Sequence, residues 1–244
     1  MRIVVVGGTG VIGTKVVTRL GHAGYEVVAA SPTTGVDTMT GEGLDATLAG
    51  ASVVIDVSDS PATEESAVVD FFETSTRKLL DAEEAAGVGH HVALSMVGTD
   101  RLPERGYFRA KHIQEKLVET STIPYSIVHA TQFFELVRGI AEGSAMDGKI
   151  RVPPVLFQPV AGDDVARVVG EVAIRPPLNG RIEVAGPERF RMDKFFRRAL
   201  PGWNDQREVL TDPHARYLGA ELDEGTLLPD EGAHLGTVRY GAWP

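Results

Sequence analysis

The 244-residue sequence contains no cysteine, which excludes disulfides, thiol nucleophiles and thiolate metal sites. Its apolar runs all fall short of the roughly 20 consecutive residues that a helix needs to cross a bilayer. The first residues lead directly into a predicted strand and show no charged signal-peptide start. We therefore expect a cytoplasmic protein with no membrane partner.

Clustered positive charge is also lacking. The chain has 24 lysines and arginines against 34 acidic residues, a formal net charge of −10. Nucleic-acid backbones are bound by clustered basic residues, so we expect no nucleic-acid partner. The 7 histidines show no H-x-x-x-H or H-E-x-x-H spacing, and the adjacent His90 and His91 would point to opposite faces of a strand. We accordingly expect no metal site.

The most informative stretch is the first thirteen residues. Residues 3–6 form a β-branched run typical of a buried strand, and residues 11–20 are amphipathic. The glycines between them fit both G-x-G-x-x-G and G-x-x-G-x-x-G. Such glycines permit a tight turn and close approach of a pyrophosphate, while the helix N-terminus offers N–H groups to the phosphates. The predicted cofactor contacts in this turn are Gly7, Gly8, Thr9, Gly10, Val11, Ile12 and Gly13.

Strand-like and helix-like segments alternate after this turn. The patterns predict strands over residues 3–6, 25–30, a very short segment near Val36, 52–57, 91–95 and 125–128. Predicted helices cover residues 11–20, 42–49, 107–119 and 131–145, and a long helix is capped by Ser60, begins at Pro61 and ends at Gly87. Regular alternation of this kind predicts an α/β fold with a Rossmann-type, doubly wound parallel sheet.

The pattern loosens from about residue 147. Residues 149–152 and 181–184 resemble short strands, and residues 163–174 and 192–200 resemble helices. We expect residues 1–146 to form the cofactor-binding core. Residues 147–244 should complete the sheet edge and cap the substrate side, within a single structural domain. The sequence does not decide between a monomer and a homodimer.

A second group of residues carries potential acid–base chemistry. Tyr107 and Lys111 are spaced i and i+4, so they share one helix face, and Ser95 ends a predicted strand. A nearby ammonium favours the phenolate and lowers the pKa of a tyrosine. The serine hydroxyl would hold a carbonyl oxygen, and the lysine would also bind ribose hydroxyls. The alternative interpretation is a half-buried tyrosine beside a solvated lysine.

Several motifs together resemble the short-chain dehydrogenase/reductase superfamily, and within it the atypical, NmrA-like NAD(P)H-binding branch. They lie at residues 7–13, 94–98, 107–111 and 127–134, with later landmarks at 163–166 and 185–187. The resemblance implies a Rossmann fold, an NAD(P)(H) cofactor and redox chemistry on a carbonyl or hydroxyl. It implies that Tyr107 is the acid/base, Lys111 its pKa partner and ribose anchor, and Ser95 the carbonyl orienter.

The resemblance also implies which residues line the substrate pocket, and the sequence differs from the family pattern at two positions. It implies that Met96, Phe133 and Phe134 line the pocket, with core packing as the alternative for one of the two phenylalanines. Many members of the branch have lost the catalytic residues and bind the cofactor as sensors. Ser31 stands where an arginine often follows the second strand, and His129 stands where relatives often have arginine.

The cofactor form follows from the residues about 20 positions beyond the glycine turn. An NAD-specific site places an acid there to bind the ribose hydroxyls, but this sequence has Ser31. Ser31 and Thr33 would donate to a 2′-phosphate, so we predict NADP, with NAD possible. Asp37 would accept from the adenine amino group or remain a solvated loop carboxylate. Val57 and Ser58, at the end of a strand, complete the predicted cofactor contacts together with Lys111.

The leading hypothesis is therefore an NAD(P)H-dependent oxidoreductase. It would transfer a hydride to or from a small carbonyl, enone or quinone-like substrate, with Tyr107 exchanging the proton. The first alternative is a non-catalytic NADP(H)-binding redox sensor or regulator. The second is an NAD-dependent epimerase that oxidises its substrate transiently.

Overall fold

The structure is a computed structural model that describes residues 1–243. Its strands are β1 (Arg2–Val6), β2 (Glu26–Ala30), β3 (Val53–Asp56), β4 (His90–Met96), β5 (Tyr125–Ala130), β6 (Ala145–Met146), β7 (Lys149–Val152), β8 (Leu156–Phe157), β9 (Gly180–Ala185), β10 (Phe190–Arg191), β11 (Val209–Thr211) and β12 (His234–Leu235). Its α-helices are α1 (Val11–His22), α2 (Leu44–Leu48), α3 (Glu65–Ala86), α4 (Gly106–Thr120), α5 (Val137–Gly143), α6 (Gly162–Ala173) and α7 (Met192–Ala199).

Seven parallel strands form the central sheet, in the order β12-β9-β5-β4-β3-β1-β2. In β1, Ile3 and Val5 pack under α1 and α6, while Val4 and Val6 pack on the opposite face under α2 and α3. All four side chains are buried, as expected for a parallel sheet that is covered on both faces. The predicted doubly wound Rossmann-type fold is confirmed.

Two local predictions in the first half of the chain are wrong. The segment near Val36 is not a strand, because a short 3-10 turn at Pro32–Thr34 and the left-handed Gly35 direct the chain away from the sheet. Helix α3 begins at Glu65, later than the predicted Pro61. Its cap is Glu64, whose side chain accepts from the backbone N–H of Ala67 at 3.2 Å.

The predicted helix at residues 131–145 is also shorter than expected. Residues after β5 stay extended because the backbone N–H of Phe134 donates to Val160 at 2.9 Å, and that of Val160 donates to Gln132 at 2.8 Å. A 3-10 turn at Phe134–Leu136 then leads into α5. This extended segment brings the 131–133 backbone to the carboxyl edge of the sheet, where it contributes to the cavity described below.

The strands that follow α5 extend the central sheet and also form smaller sheets. Strands β9 and β12 extend the central sheet, while β6, β7 and β11 form a separate small sheet. A second core joins Phe157 and Phe196 from this part of the chain to Phe108 of α4 and Val137 of α5. Because this core spans both parts, we propose a single structural domain. Among residues 1–243, every helix is too short or too polar to span a membrane.

Candidate active site

Three glycines at the junction of β1 and α1 have no room for a side chain. Gly7 has φ of +75°, and a Cβ there would lie 2.8 Å from the backbone of Ser58. A Cβ on Gly13 would lie 2.1 Å from the carbonyl oxygen of Gly7, and one on Gly8 would lie 2.8 Å from Cα of Ala29. These contacts hold the helix against the turn, so Gly8 and Gly13 act by allowing close packing.

The N-terminus of α1 fits the pyrophosphate of a dinucleotide. Gly10 is its N-cap, and within residues 1–243 no side chain caps this end and no acid lies in its first turn. Backbone N–H groups at such an end remain available and attract anions. Gly10, Val11 and Ile12 line the large cavity that opens beside this turn. NAD(P)H therefore fits the residues present here.

The cavity has a volume of about 1130 Å³ and lies at the carboxyl ends of the central strands. This edge is where open α/β sheets bind ligands. The predicted site residues that line it are Gly7, Thr9, Gly10, Val11, Ile12, Ser31, Asp37, Val57, Ser58, Ser95, Met96, Tyr107, Lys111 and Phe133. The structure thus brings the glycine turn and the Ser95, Tyr107 and Lys111 group to one continuous space.

Phe134 does not line the cavity, and its predicted pocket role is wrong. Its side chain is buried, with its ring 5.2 Å from that of Tyr240 and 5.8 Å from that of Trp243. Thr33 also lies off the cavity wall. Its hydroxyl is hydrogen-bonded to that of Ser31 at 2.8 Å, so Thr33 stabilises the position of the Ser31 side chain.

Ser31 and Asp37 form the wall at the end of β2. The backbone N–H of Ser31 donates to Thr34 Oγ1 at 2.9 Å, which fixes the turn after the strand. Asp37 Oδ1 accepts from the backbone N–H of Met39 at 2.7 Å and of Thr40 at 3.3 Å. The cavity therefore has a hydroxyl residue, not an acid, directly after β2.

Tyr107 is paired with an acid that the sequence did not indicate. Its hydroxyl donates to Asp59 Oδ1 at 2.8 Å. Burial and the Asp59 carboxylate raise the pKa of Tyr107 well above its ordinary range. The predicted lowering of this pKa is therefore wrong, because the carboxylate opposes formation of the phenolate.

Lys111 lies on the same cavity but makes its hydrogen bonds elsewhere. Its Nζ donates to the carbonyl oxygen of Leu94 at 2.9 Å and to the side-chain oxygen of Gln114. Nζ also lies 4.4 Å from the centroid of the Phe72 ring. Burial lowers the pKa of Lys111, against the opposing effect of nearby carboxylates, Asp56 first among them. The ammonium is thus held in place by the protein itself.

Ser95 is held by a buried acid. Its hydroxyl donates to Glu115, which also accepts from Thr99 Oγ1 at 3.2 Å and lies 3.1 Å from Nε2 of His129. Burial alone would raise the pKa of Glu115, but His129 and the two hydroxyls outweigh it and lower this pKa. A hydroxyl has one proton, so Ser95 offers the cavity an acceptor while this bond persists. The bond does not support the predicted carbonyl-orienting role.

Sequence reasoning missed Asp59 and Glu115, although each left a signal. Asp59 closely follows β3, whose carboxyl end meets those of β1 and β4 at one sheet edge. Glu115 lies four residues after Lys111 and therefore on the same face of α4. Polar residues that closely follow a central strand, or that share the α4 face of Lys111, are therefore candidates for this site.

Comparison with known proteins decides the family. A family model described as NAD(P)H-binding matches residues 7–175. The chain belongs to the NAD(P)H-binding family. The predicted cofactor class is confirmed at this level.

One relative and two solved structures extend the comparison. The chain is 28% identical over 205 residues to the (4-alkanoyl-5-oxo-2,5-dihydrofuran-3-yl)methyl phosphate reductase of Streptomyces griseus, covering 76% of this chain and 68% of that protein. A short-chain dehydrogenase/reductase superfamily protein of Agrobacterium tumefaciens with bound NAD is 16% identical, with a TM-score of 0.66 over 86% of this chain and 85% of that one.

The second structure is the dTDP-glucose 4,6-dehydratase DesIV of Streptomyces venezuelae. It was solved with NAD and is 16% identical, with a TM-score of 0.72 over 99% of this chain and 94% of that one. At these identities the structures show the fold. The chain is therefore an NAD(P)H-binding protein with the same fold as this short-chain dehydrogenase/reductase superfamily protein, as the sequence motifs led us to expect.

Proposed function

We propose that this NAD(P)H-binding protein is an oxidoreductase that reduces a small carbonyl or conjugated carbonyl compound. The observation that carries the proposal is that one cavity is lined both by the glycine turn and by Tyr107 and Lys111. When bound, NAD(P)H supplies a hydride, with its two electrons, to a carbon of the substrate. The Streptomyces griseus relative, named as the reductase of an oxo-dihydrofuran, supports the same reaction class.

The chain's own residues divide into two groups. The N-terminus of α1 and Ser31 would bind the phosphates and ribose of the cofactor, because they offer N–H and O–H donors along one wall. Apolar side chains also line the cavity, including Met96, Phe133 and Ile140. An apolar wall excludes water from the reacting carbon and favours an apolar substrate body.

Tyr107 is the proposed proton donor. Its O–H turns from Asp59 to the substrate oxygen, which takes up the proton, and solvent returns a proton to the phenolate afterwards. Asp59 disfavours the phenolate, so Tyr107 keeps its proton until a substrate oxygen that is gaining negative charge competes for it. The buried ammonium of Lys111 supplies positive charge to the same cavity.

Ser95 has a different proposed role from the one implied by the family resemblance. Because its proton is donated to Glu115, Ser95 would accept a hydrogen bond from an N–H or O–H group in the cavity. Orientation of the substrate oxygen then depends on Tyr107.

The test is Tyr107→Phe, with Tyr125→Phe as the matched control because Tyr125 lies outside the cavity. We expect Tyr107→Phe to reduce kcat against a panel of enones and quinones by about a hundredfold or more, the usual contribution of a positioned acid. NADPH affinity should stay unchanged. Full activity in Tyr107→Phe would refute this assignment.

The second candidate is the regulator, which is favoured by one specific observation. Both active-site hydroxyls, those of Tyr107 and Ser95, donate to carboxylates. Tight NADPH binding by the wild-type protein, with no turnover of any substrate on the panel, would support the regulator against the oxidoreductase.

A further inference from the structure

A short turn on the cavity wall carries a cation that the reaction proposed above does not use. We infer that Arg216 binds an anionic group, a carboxylate or a phosphate, on the substrate. This inference rests on the proposed function, since it names the substrate class of the same site. The substrate would then combine an apolar carbonyl body with one anionic group.

The turn is firmly placed beside Tyr107. Tyr217 and Ala220 exchange two backbone hydrogen bonds, at 2.8 and 3.0 Å, which close the turn around Leu218. The carbonyl oxygen of Leu218 accepts from the backbone N–H of Tyr107 at 3.1 Å. Arg216, Tyr217 and Leu218 all line the cavity. Arg216 therefore stands at the substrate end of the cavity.

The contact between the turn and α4 leaves no room for adjustment. Gly106 has φ of +49°, and a Cβ there would lie 2.0 Å from the carbonyl oxygen of Leu218. Leu218 itself has φ of +50°, an uncommon conformation for a residue with a side chain. Such backbone outliers persist only where the surrounding contacts hold them, and they concentrate at functional sites.

Arg216 has no acidic partner among the described residues. It is exposed, and the ion pairs found within residues 1–243 do not include it. The two carboxylates on the cavity wall have other partners, because Asp59 accepts from Tyr107 and Asp37 accepts from backbone N–H groups. In a chain of net charge −10, an exposed arginine that lines a cavity without an acidic partner is suited to an anionic ligand.

The rest of the wall indicates what accompanies the anion. Leu136 and Ile140 line the cavity with Met96 and Phe133, so the ligand body is apolar. Ser31, on the wall that follows β2, would hold the adenosine end of the cofactor, whereas Arg216 belongs to the turn bound to Tyr107. The geometry therefore assigns Arg216 to the substrate.

The test compares benzoylacrylate, an enone carboxylate, with its uncharged methyl ester. For the acid we expect Arg216→Gln to raise KM by about tenfold or more, the effect of one lost hydrogen bond to a charged group. For the ester, KM should change less than about twofold, and kcat should be similar for both. Arg216→Lys should recover part of the loss. Arg198→Gln, an exposed arginine off the cavity wall, removes the same charge and should change neither KM.

Calorimetry separates this inference from the proposed function. Benzoylacrylate binding to the protein–NADP⁺ complex should weaken about tenfold in Arg216→Gln, whether or not the acid is reduced. Absence of turnover with this binding pattern would count against the oxidoreductase but support the anion site. Equal affinity of the wild-type protein for acid and ester, an equal loss in Arg198→Gln, or a weaker affinity of Arg216→Gln for NADPH would each overturn the assignment.

Discussion

The glycine turn provides the sharpest prediction, because two glycines of the same helix have opposite surroundings. In Gly13→Ala the new Cβ would lie 2.1 Å from the carbonyl oxygen of Gly7 and 2.7 Å from Cα of Gly8. Both neighbours are backbone atoms, so the turn itself must move. In Gly21→Ala the new Cβ has nothing within 4 Å.

The two variants share one energetic effect and differ in another. Alanine is favoured over glycine inside a helix by about 0.5–1 kcal/mol, and both positions lie in α1. Overpacking a tight site costs about 1–3 kcal/mol, and only Gly13→Ala incurs this cost. The free energies of unfolding of the two variants should therefore differ by about 1–3 kcal/mol. Gly21→Ala should be slightly more stable than the wild-type protein.

Urea unfolding, followed by circular dichroism, measures the stability difference, and NADPH fluorescence titration measures binding. We expect Gly13→Ala to lose NADPH affinity, because displacing Gly7 or Gly8 moves the backbone that we propose binds the pyrophosphate. Gly21→Ala should bind as the wild-type protein does. If Gly13→Ala matched Gly21→Ala in both measurements, the packing argument for this turn would be refuted.

Three further predictions concern stability and cofactor choice. Burial alone would raise the pKa of Asp193, but hydrogen bonds, first from Arg197, lower it to about 2. This pKa lies below that of Asp193 in the unfolded chain, so the carboxylate stabilises the fold above about pH 4, and this stabilisation is lost as the pH falls towards 2. Asp193→Asn should therefore lower the free energy of unfolding at neutral pH by about 2 kcal/mol, measured by urea titration. Glu83 and His91 form a fully buried pair at 2.9 Å, so Glu83→Ala should cost about 3–5 kcal/mol in the same assay, and replacing both residues by leucine should recover most of it. Ser31 places no acid against a 2′-phosphate, so NADPH should bind at least as tightly as NADH in fluorescence titrations, and a tenfold preference for NADH would contradict the NADP prediction.

Most of the fold could be predicted from the sequence because local patterns determine it. Buried runs such as Ile3 to Val6 lie on a sheet covered on both faces, and the helix periodicity gave α1 and α4 nearly at their observed bounds. The errors occurred where two local signals competed. Pro61 fits the first turn of a helix, yet the chain makes a separate turn there and the helix is capped by Glu64.

For the candidate site, the sequence predicted the positions of residues on one helix but not their hydrogen-bond partners. Spacing along one helix correctly placed Tyr107 and Lys111 on one cavity, because i and i+4 residues share a face. Their hydrogen-bond partners come from other elements, so spacing did not predict them. Burial and the Asp59 carboxylate together reverse the expected direction of the Tyr107 pKa shift, so the site favours the protonated phenol.

The two ends of the cavity differ in how the chain builds them, and this difference affects substrate specificity. The proposed cofactor-binding turn is one continuous segment, and its ligand would be the NAD(P)H that defines the family, so a sequence motif describes it well. The proposed substrate end depends on a backbone contact between Gly106 and Leu218, which are 112 positions apart in the sequence. Changes in the turn that contains Leu218 alter the wall beside Tyr107 without altering the glycine turn. Selection for a new substrate is therefore expected to act first on residues 215–220, where Arg216 lies.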